Sequence, residues 1–546
     1  MTNEPKPTLE PGTSGRETTQ TPRGGQNPTA PEGLTGLRGG SKMYGFCSIE
    51  TFCDQGSLSL THDDAQGFYQ YVNQFTPPNF WYKDSGVKPW IYYEQYDNWQ
   101  DTYGADAVRV FYHSGHGGMS SNGTFYLPMG ADWGGLGCTA LSSNMRLGNE
   151  TLRYLFWSTC LSLRISGGHS PIRTWNQANL GLRMIFGYET TSYDNANYGR
   201  YFFEEWNKNK SFSQAFLDAS WRISHHQSPS VVACGASQEE AKNRVFNERL
   251  FYAESVSKNW WWWRWYSAAM AREVTISPPE SLQFAELVPV VLSASDLFDR
   301  FGMRGPVAED GSTSFVEGQR SFSRSADGSF SIQLAAANLE NTVELAVGAA
   351  RAAAERLIAR LALSADQPLV LDRIIRSQAA GGSLQGSGEL VGSHTTETII
   401  QYRQIIAGLP VISSDIGALR VAIDNDGNVV RVEGHLRQVA NLINQGRRTP
   451  PQQPEPADRR GSPGSSLFPE PLSSFETGLA QKTTELLRSL IARGPSPVGY
   501  TIVPGSTEIG YDIKGDIAQL IACRSIEIQF LGGYRKLYHI ETPIFG

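Results

Sequence analysis

The sequence predicts an α/β protein, a mainly parallel sheet flanked by helices, followed by one or two smaller α+β modules. Three observations carry this. Between residues 43 and 270, short apolar runs alternate with segments of helical period, as in parallel sheets with crossover helices. All thirteen tryptophans lie between Trp81 and Trp265, so the composition changes in kind near 270–280. Pro- and Ser-rich stretches punctuate the C-terminal half, and 546 residues are too many for one core.

Residues 1–42 are rich in Pro, Gly, Thr and Glu and hold almost no large apolar side chain. Such a segment cannot bury enough surface to offset the entropy of ordering, so disorder is expected. Met43–Ile49 comes next as a first strand. Thr61-His62-Asp63-Asp64 looks like a hydroxyl-capped helix start with a carboxylate three residues on, and Phe68, Tyr71, Val72 and Phe75 share one helical face. Pro77-Pro78 ends that helix. Trp90–Tyr96 and Ala107–Tyr112 are expected as strands, 117–150 as mostly loop, then Leu152–Trp157 and Leu182–Tyr188 as strands. Tyr198, Phe202 and Trp206 recur every four residues, and Ser211-Phe212-Ser213-Gln214 opens another helix with a capping-box pattern. The run Trp260–Tyr266 is expected to be a strand with alternate rings buried, with a ligand-stacking or membrane-interface role as the alternative.

Beyond the boundary, 271–335 is expected as linker and irregular chain and 336–444 as an α+β module. The latter has an alanine-rich helix at Asn341–Leu363, strands at Thr398–Ile406 and Gly417–Ile423, and a turn at Asp424–Asn428 returning through Val429–Glu433. A Pro/Ser-rich linker spans 445–474, and 475–546 holds a helix and then four strands.

Net charge is −7 with a pI near 5.8, which gives no electrostatic reason to expect nucleic acid as a partner. No apolar run is long enough to cross a bilayer, and the start lacks the basic and apolar regions of a secretory signal. A soluble, cytoplasmic protein is therefore expected, with export by another route left open. The six cysteines show no C-x-x-C spacing, so neither a metal site nor a cofactor is expected. Cys47 and Cys53 could bridge in an oxidising compartment, though a reduced pair is the simpler expectation.

Chemistry concentrates in two places. Val108–Gly118, V-R-V-F-Y-H-S-G-H-G-G, runs an apolar strand into two histidines, and 44 residues after His116 the strand Leu152–Trp157 runs into Ser158-Thr159-Cys160. A thiol nucleophile needs a neighbouring imidazole and main-chain N–H groups for the oxyanion. Adjacent parallel strands share one crevice at their C-terminal ends, which would bring His116 and Cys160 together. Gly117 lets main chain approach a substrate carbonyl closely. The competing readings are an ordinary buried thiol with a loop histidine, and a His113-x-x-His116 metal pair, which lacks supporting ligands. His225-His226 reads as a surface feature.

The pattern strand-S-G-H-G, then an apolar strand ending in two small residues and Cys, resembles the clan CD cysteine peptidases (caspases, metacaspases, gingipains, separase and CHAT-type peptidases) over about residues 43–270. Thr159 stands where that pattern usually has alanine. The resemblance implies a caspase-like fold, His116 as general base and acid, Cys160 as nucleophile, and the amides of Gly117 and Cys160 as oxyanion hole, with no third triad member required. It also implies that an acidic residue near the cysteine strand recognises a basic substrate side chain; Asp194, Glu189 and Asp132 are the candidates, with Arg164 and Arg183 available for the opposite preference. Residues 401–434, with Gly408-Leu409-Pro410-Val411 and Asp426-Gly427-Asn428-Val429-Val430, are similar to the fungalysin/thermolysin propeptide module, and the last unit resembles the PepSY domain. Those modules restrain or help fold an attached peptidase, although here no H-E-x-x-H accompanies them.

The expectation is thus a cysteine endopeptidase acting on peptide or protein substrates and restrained by its C-terminal region until cut in the linkers at 271–280 or 445–474. The alternative is a non-catalytic binding protein that keeps the caspase-like fold, with the aromatic surface around Trp260–Trp265 contacting a partner. Oligomeric state is not legible.

Overall fold

The computed structural model describes residues 42–93, 97–133, 135–270, 283–289, 294–305, 312–361, 368–384, 390–414, 416–444 and 470–544, besides a short strand pair at 6–7 and 17–18. The segments expected to be disordered (most of 1–42) or to act as linkers (271–280 and nearly all of 445–474) lie outside the described residues. Among the described residues no helix is long and apolar enough to cross a membrane.

The structure is mixed α/β, built on one large multistranded sheet. Its first part comprises β1 (Tyr44–Ser48), β2 (Phe80–Lys83), β3 (Val110–Ser114), β4 (Tyr154–Ser158), β5 (Met184–Tyr188), β6 (Pro229–Gly235) and β7 (Trp260–Met270). In space they run β2-β1-β3-β4-β5-β6-β7. Pairings from β2 through β5 are parallel, whereas β5–β6 and β6–β7 are antiparallel. Beyond β7 every neighbour is antiparallel, so the expected parallel character is confined to five strands. The change begins where two helices in succession separate β5 from β6, so that the chain re-enters the sheet in the opposite direction.

Strands β1, β3, β4 and β5 are buried at every position, because both faces of the sheet are covered. One face carries Phe46, Tyr112, Phe156 and Phe186 against helices α1 (Thr61–Val72), α2 (Tyr198–Trp206) and α3 (Phe212–Ile223). Phe156 and Phe186 stack with centroids 4.0 Å apart, and Phe68 of α1 meets Phe156 edge-on. The alternate residues Cys47, Phe111, Leu155 and Ile185 form the opposite core.

Several local expectations change. Pro89–Tyr92 is a 3-10 turn with proline at its start, in place of a strand, and 94–96 fall outside the described residues. The 117–150 segment carries a small three-stranded sheet (118–119, 125–128, 139–141). The 271–335 segment, expected as linker and irregular chain, contributes strands at Gln283–Pro289, Thr313–Glu317, Arg320–Arg324 and Phe330–Gln333 and a helix at Ala294–Phe301. Helix α3 begins as expected, with the Ser211 hydroxyl accepting from the Gln214 amide. Helix α1 does not. Its first turn has no side-chain cap of its own, Thr61 donates instead to the Ile49 carbonyl, and Asp64 is drawn into the core. There its carboxylate accepts from Tyr112, Ser114 and the Gly199 amide, and burial raises its pKa.

The tryptophan run is central. β7 pairs with β6 on one side and with Leu369–Ser383 on the other. Trp261, Trp262, Trp263 and Trp265 are all buried, from both faces of the strand, rather than alternately. The sheet then continues through Leu390–Ile406, Ala418–Asp424 and Val429–His435, with the helix Val347–Leu361 over it.

The last module, a helix at Glu470–Ile491 and strands to residue 543, shares a second sheet, centred on Ile517–Gln529, with strands Gln283–Pro289 and Arg437–Asn444 from earlier in the chain. Its terminal hairpin, Ile517–Gln529 with Arg535–Pro543, packs onto the C-terminal ends of β3 and β4.

Candidate functional site

β3 and β4 are in register from Val110↔Tyr154 to Ser114↔Ser158, so the chain leaves both strands at the same level. His116 lies two residues after β3 and Cys160 two after β4. The turn out of β4 is abrupt: Leu161 takes a left-handed conformation (φ 59°), unusual for a bulky residue, and its amide is held by the Thr190 carbonyl. Gly117 lies directly against this turn. A methyl group there would come within 2.7 Å of the Cys160 carbonyl oxygen, which is why glycine is required. The amides of Gly117 and Cys160 donate to no acceptor among the described residues.

The imidazole of His116 is fully buried. Its Nε2 lies 3.0 Å from the Gly56 carbonyl, which can only accept, so Nε2 carries the proton and Nδ1 the lone pair. Nδ1 has no hydrogen-bond partner among the described residues. Phe52, Phe530 and Tyr534 surround the ring, with centroids at 4.8, 4.7 and 5.7 Å. Burial, and then the Lys536 ammonium, push its pKa down to about 3, against the opposing Gly56 bond.

Cys160 is buried as well, at 1% exposure. Its sulfur accepts from the Ser192 amide at 3.2 Å, lies 3.4 Å from the Ser192 hydroxyl, and donates to the Arg535 carbonyl at 3.1 Å. The two residues thus follow the same ends of adjacent strands, yet each is engaged elsewhere: His116 by Gly56, Cys160 by Ser192 and Arg535. The terminal hairpin packs over both. Lys536, 1% exposed, donates to the Gly115 carbonyl and the Ser192 hydroxyl at 3.3 and 3.2 Å.

The other sequence candidates separate. Asp194 is buried and accepts from the amides of Ser59 and Leu60 at 2.9 and 3.2 Å, anchoring the chain just ahead of α1. Burial raises its pKa to about 6, with Lys536 and the two amides opposing. Glu189 accepts from the amides of Ile165 and Ser166 and so pins the loop after Cys160. Asp132 is exposed at the edge of the small sheet, its charge felt by Lys88. His113 turns away from the pair, its Nδ1 bonded to the Tyr92 hydroxyl at 2.7 Å. His225 and His226, expected on the surface, are only partly exposed, and His225 bonds Gln401. Arg183 is paired with Glu248, which removes it from any substrate role.

Sequence reasoning missed Ser192, Gly56 and Lys536. Ser192 lies in the T-T-S-Y-D segment after β5, and its position two residues before Asp194 was the only available hint. Disulfide pairing also differs from expectation. Cys53 bonds Cys138, and Cys47 stays free and buried, bordering Tyr92. Cys47 points into the sheet core, out of reach, whereas Cys53 lies in the loop that carries Phe52 and Gly56 over His116. The bond therefore ties that loop to the small sheet.

One group of carboxylates, Glu205, Asp218 and Glu433, converges closely enough to hold an ion. The Lys210 ammonium already sits among them, at 2.5, 2.7 and 2.5 Å. That arrangement is a buried ion-pair network, not a vacant metal site.

Residues 45–265 match a family described as "Domain of unknown function (DUF6345)". The match ends within β7, so it takes in β1–β6 and both His116 and Cys160. A search of curated proteins finds no match.

Proposed function

We propose that the chain is a cysteine endopeptidase with a His116–Cys160 dyad, restrained by its own C-terminal region. The observation that carries this reading is the in-register ending of β3 and β4, with a lone-pair nitrogen on His116 and a main-chain amide on the Cys160 sulfur. In the proposed reaction His116 Nδ1 takes the thiol proton, and the Cys160 sulfur adds to the peptide carbonyl carbon. The amides of Gly117 and Cys160 receive the oxyanion. Collapse expels the amine, which takes the proton from His116, and water then releases the acid from the thioester. The clan CD-like motif order supports the same roles, and Asp194 and Asp132 remain the candidate substrate-binding acids, whereas Glu189 has both oxygens engaged by the Ile165 and Ser166 amides.

In the closed state the sulfur faces the Arg535 carbonyl oxygen, donating to it, which is not a geometry for attack on carbon. A second reading, a non-catalytic binding protein of the same fold, draws on the absence of a His116–Cys160 hydrogen bond among the described residues.

A peptidyl chloromethyl ketone tests the choice. Labelling confined to Cys160, and autocleavage lost in Cys160→Ala, support the peptidase. Identical behaviour of wild type and Cys160→Ala towards peptide libraries and in autocleavage contradicts it.

A further inference from the structure

We infer that residues 192–194, with the Gly115 carbonyl, form a strand-addition site for an extended, lysine-bearing peptide, and that Arg535–Tyr538 is its intramolecular occupant. This rests on the dyad crevice proposed above and names its ligand.

The main-chain part of the site is a short parallel ladder. Leu537 donates to the Ser192 carbonyl at 3.0 Å and accepts from the Asp194 amide at 2.9 Å, with Tyr193 opposite Leu537. Both main-chain groups of Leu537 therefore point away from its hairpin partner, Ile517–Gln529. Without the terminal strand, these Ser192 and Asp194 groups would be left as an open edge, the kind of backbone that recruits a strand. In recognition by strand addition the ladder supplies affinity and side-chain pockets supply selectivity.

The pocket here holds a lysine. The Lys536 ammonium meets two neutral acceptors, Gly115 O and Ser192 Oγ, with the buried Asp194 carboxylate in its field. Burying an ammonium is costly unless acceptors are waiting for it, so the site is built for a cation. A carboxylate side chain would face the Gly115 carbonyl and Asp194 and be repelled. Asp194 is itself held by the Ser59 and Leu60 amides, so it acts through space rather than by direct contact with the lysine. The Arg535 side chain, by contrast, is about half exposed and pairs with Glu527, outside the pocket. Being tethered, the internal strand competes at an effective concentration on the order of millimolar, which any external peptide must match.

The test uses the full chain. Lys536→Glu, and separately Lys536→Ala combined with Leu537→Pro, loosen the occupant by charge and by removing one N–H. Iodoacetamide alkylation of Cys160 is followed by peptide mass spectrometry on protein shown to be folded by near-ultraviolet circular dichroism. Cys160 should react at least tenfold faster in whichever variant folds than in wild type. A synthetic peptide of residues 533–541 at millimolar concentration should restore protection, and the same peptide carrying Lys536→Glu should not. Folded variants that react at the wild-type rate overturn the proposal, as do two peptides that protect equally or not at all. Failure of the peptidase reading looks different: the lysine peptide protects Cys160, but the opened chain hydrolyses nothing.

Discussion

The Cys160 sulfur and the Arg535 carbonyl oxygen lie 3.1 Å apart although 375 residues separate them in the chain. This contact joins the first sheet to the last hairpin at the point where a nucleophile would work. It sets the C-terminal region against Cys160, so under the proposed function the stability of this contact is part of any activity.

Acidification acts on this closure through His116. The buried neutral ring has a pKa near 3, against 6.5 for an exposed histidine. A base whose folded pKa is depressed costs stability as pH falls below its unfolded value, because the unfolded chain takes the proton first. His113, also held near 3 by burial and then Lys536, acts in the same direction, whereas Asp194, with its pKa raised, acts oppositely between about 4 and 6. Comparing wild type with His116→Phe isolates the one group. Between pH 7 and pH 5, the urea-derived stability of wild type should fall relative to the variant by about 2 kcal/mol. A pH-independent difference would show that His116 is not held neutral.

Glu189 holds the loop after Cys160. Glu189→Gln leaves one acceptor oxygen where two main-chain donors converge and turns an NH2 group towards the second. A loss of up to about 1 kcal/mol in urea-derived stability is expected, from a partly exposed donor losing its partner. Peptide protons of Ile165 and Ser166 should also exchange faster. Unchanged exchange at both would contradict the role.

The Cys53–Cys138 bond closes a loop with a sequence separation of 85. On chain-entropy grounds it stabilises the fold by up to about 4–5 kcal/mol. Dithiothreitol should lower the urea midpoint of wild type and leave the Cys53→Ser/Cys138→Ser variant unaffected. Equal midpoints for wild type in oxidising and reducing buffer would show that the bond contributes nothing.

Lys210 pairs with three carboxylates, two of them buried, in a network that also includes Lys208, Arg222 and Arg431. Burial opposes ionisation of Asp218, but Lys210 overrides it and holds the pKa at about 2. An acid with a depressed folded pKa contributes stability above its unfolded pKa and loses it as pH falls. Lys210→Met should therefore cost about 3–5 kcal/mol at pH 7, and less below pH 4 as the carboxylates protonate. Thermal melts at both pH values check this; a loss that grows on acidification would contradict it.

Much of the first sheet was legible because strands buried on both faces appear as unbroken apolar runs, as in V-F-Y and Y-L-F-W. That His116 and Cys160 follow the same ends of adjacent parallel strands came from strand order alone. The features that stayed hidden depend on pairings remote in sequence. Asp194 serves amides 135 and 134 residues away, and the local capping signal at Thr61 and Asp64 failed because both side chains bond remote groups instead. Cys53 and Cys138 carry no spacing that announces a bond. Lys536 sits in a strand with no unusual composition, and only the fold brings it to Gly115. The tryptophan run was recognisable as a strand, but not as a central one, since alternation is lost when both faces are covered.

Turnover by an opened full-length chain is the most direct test of the dyad. The Lys536→Ala/Leu537→Pro protein should hydrolyse lysine-containing peptides, and adding Cys160→Ala or His116→Ala should lower the rate at least about a hundredfold. Hydrolysis that persists in Cys160→Ala, or none at all in a folded chain whose Cys160 is accessible, would contradict the account.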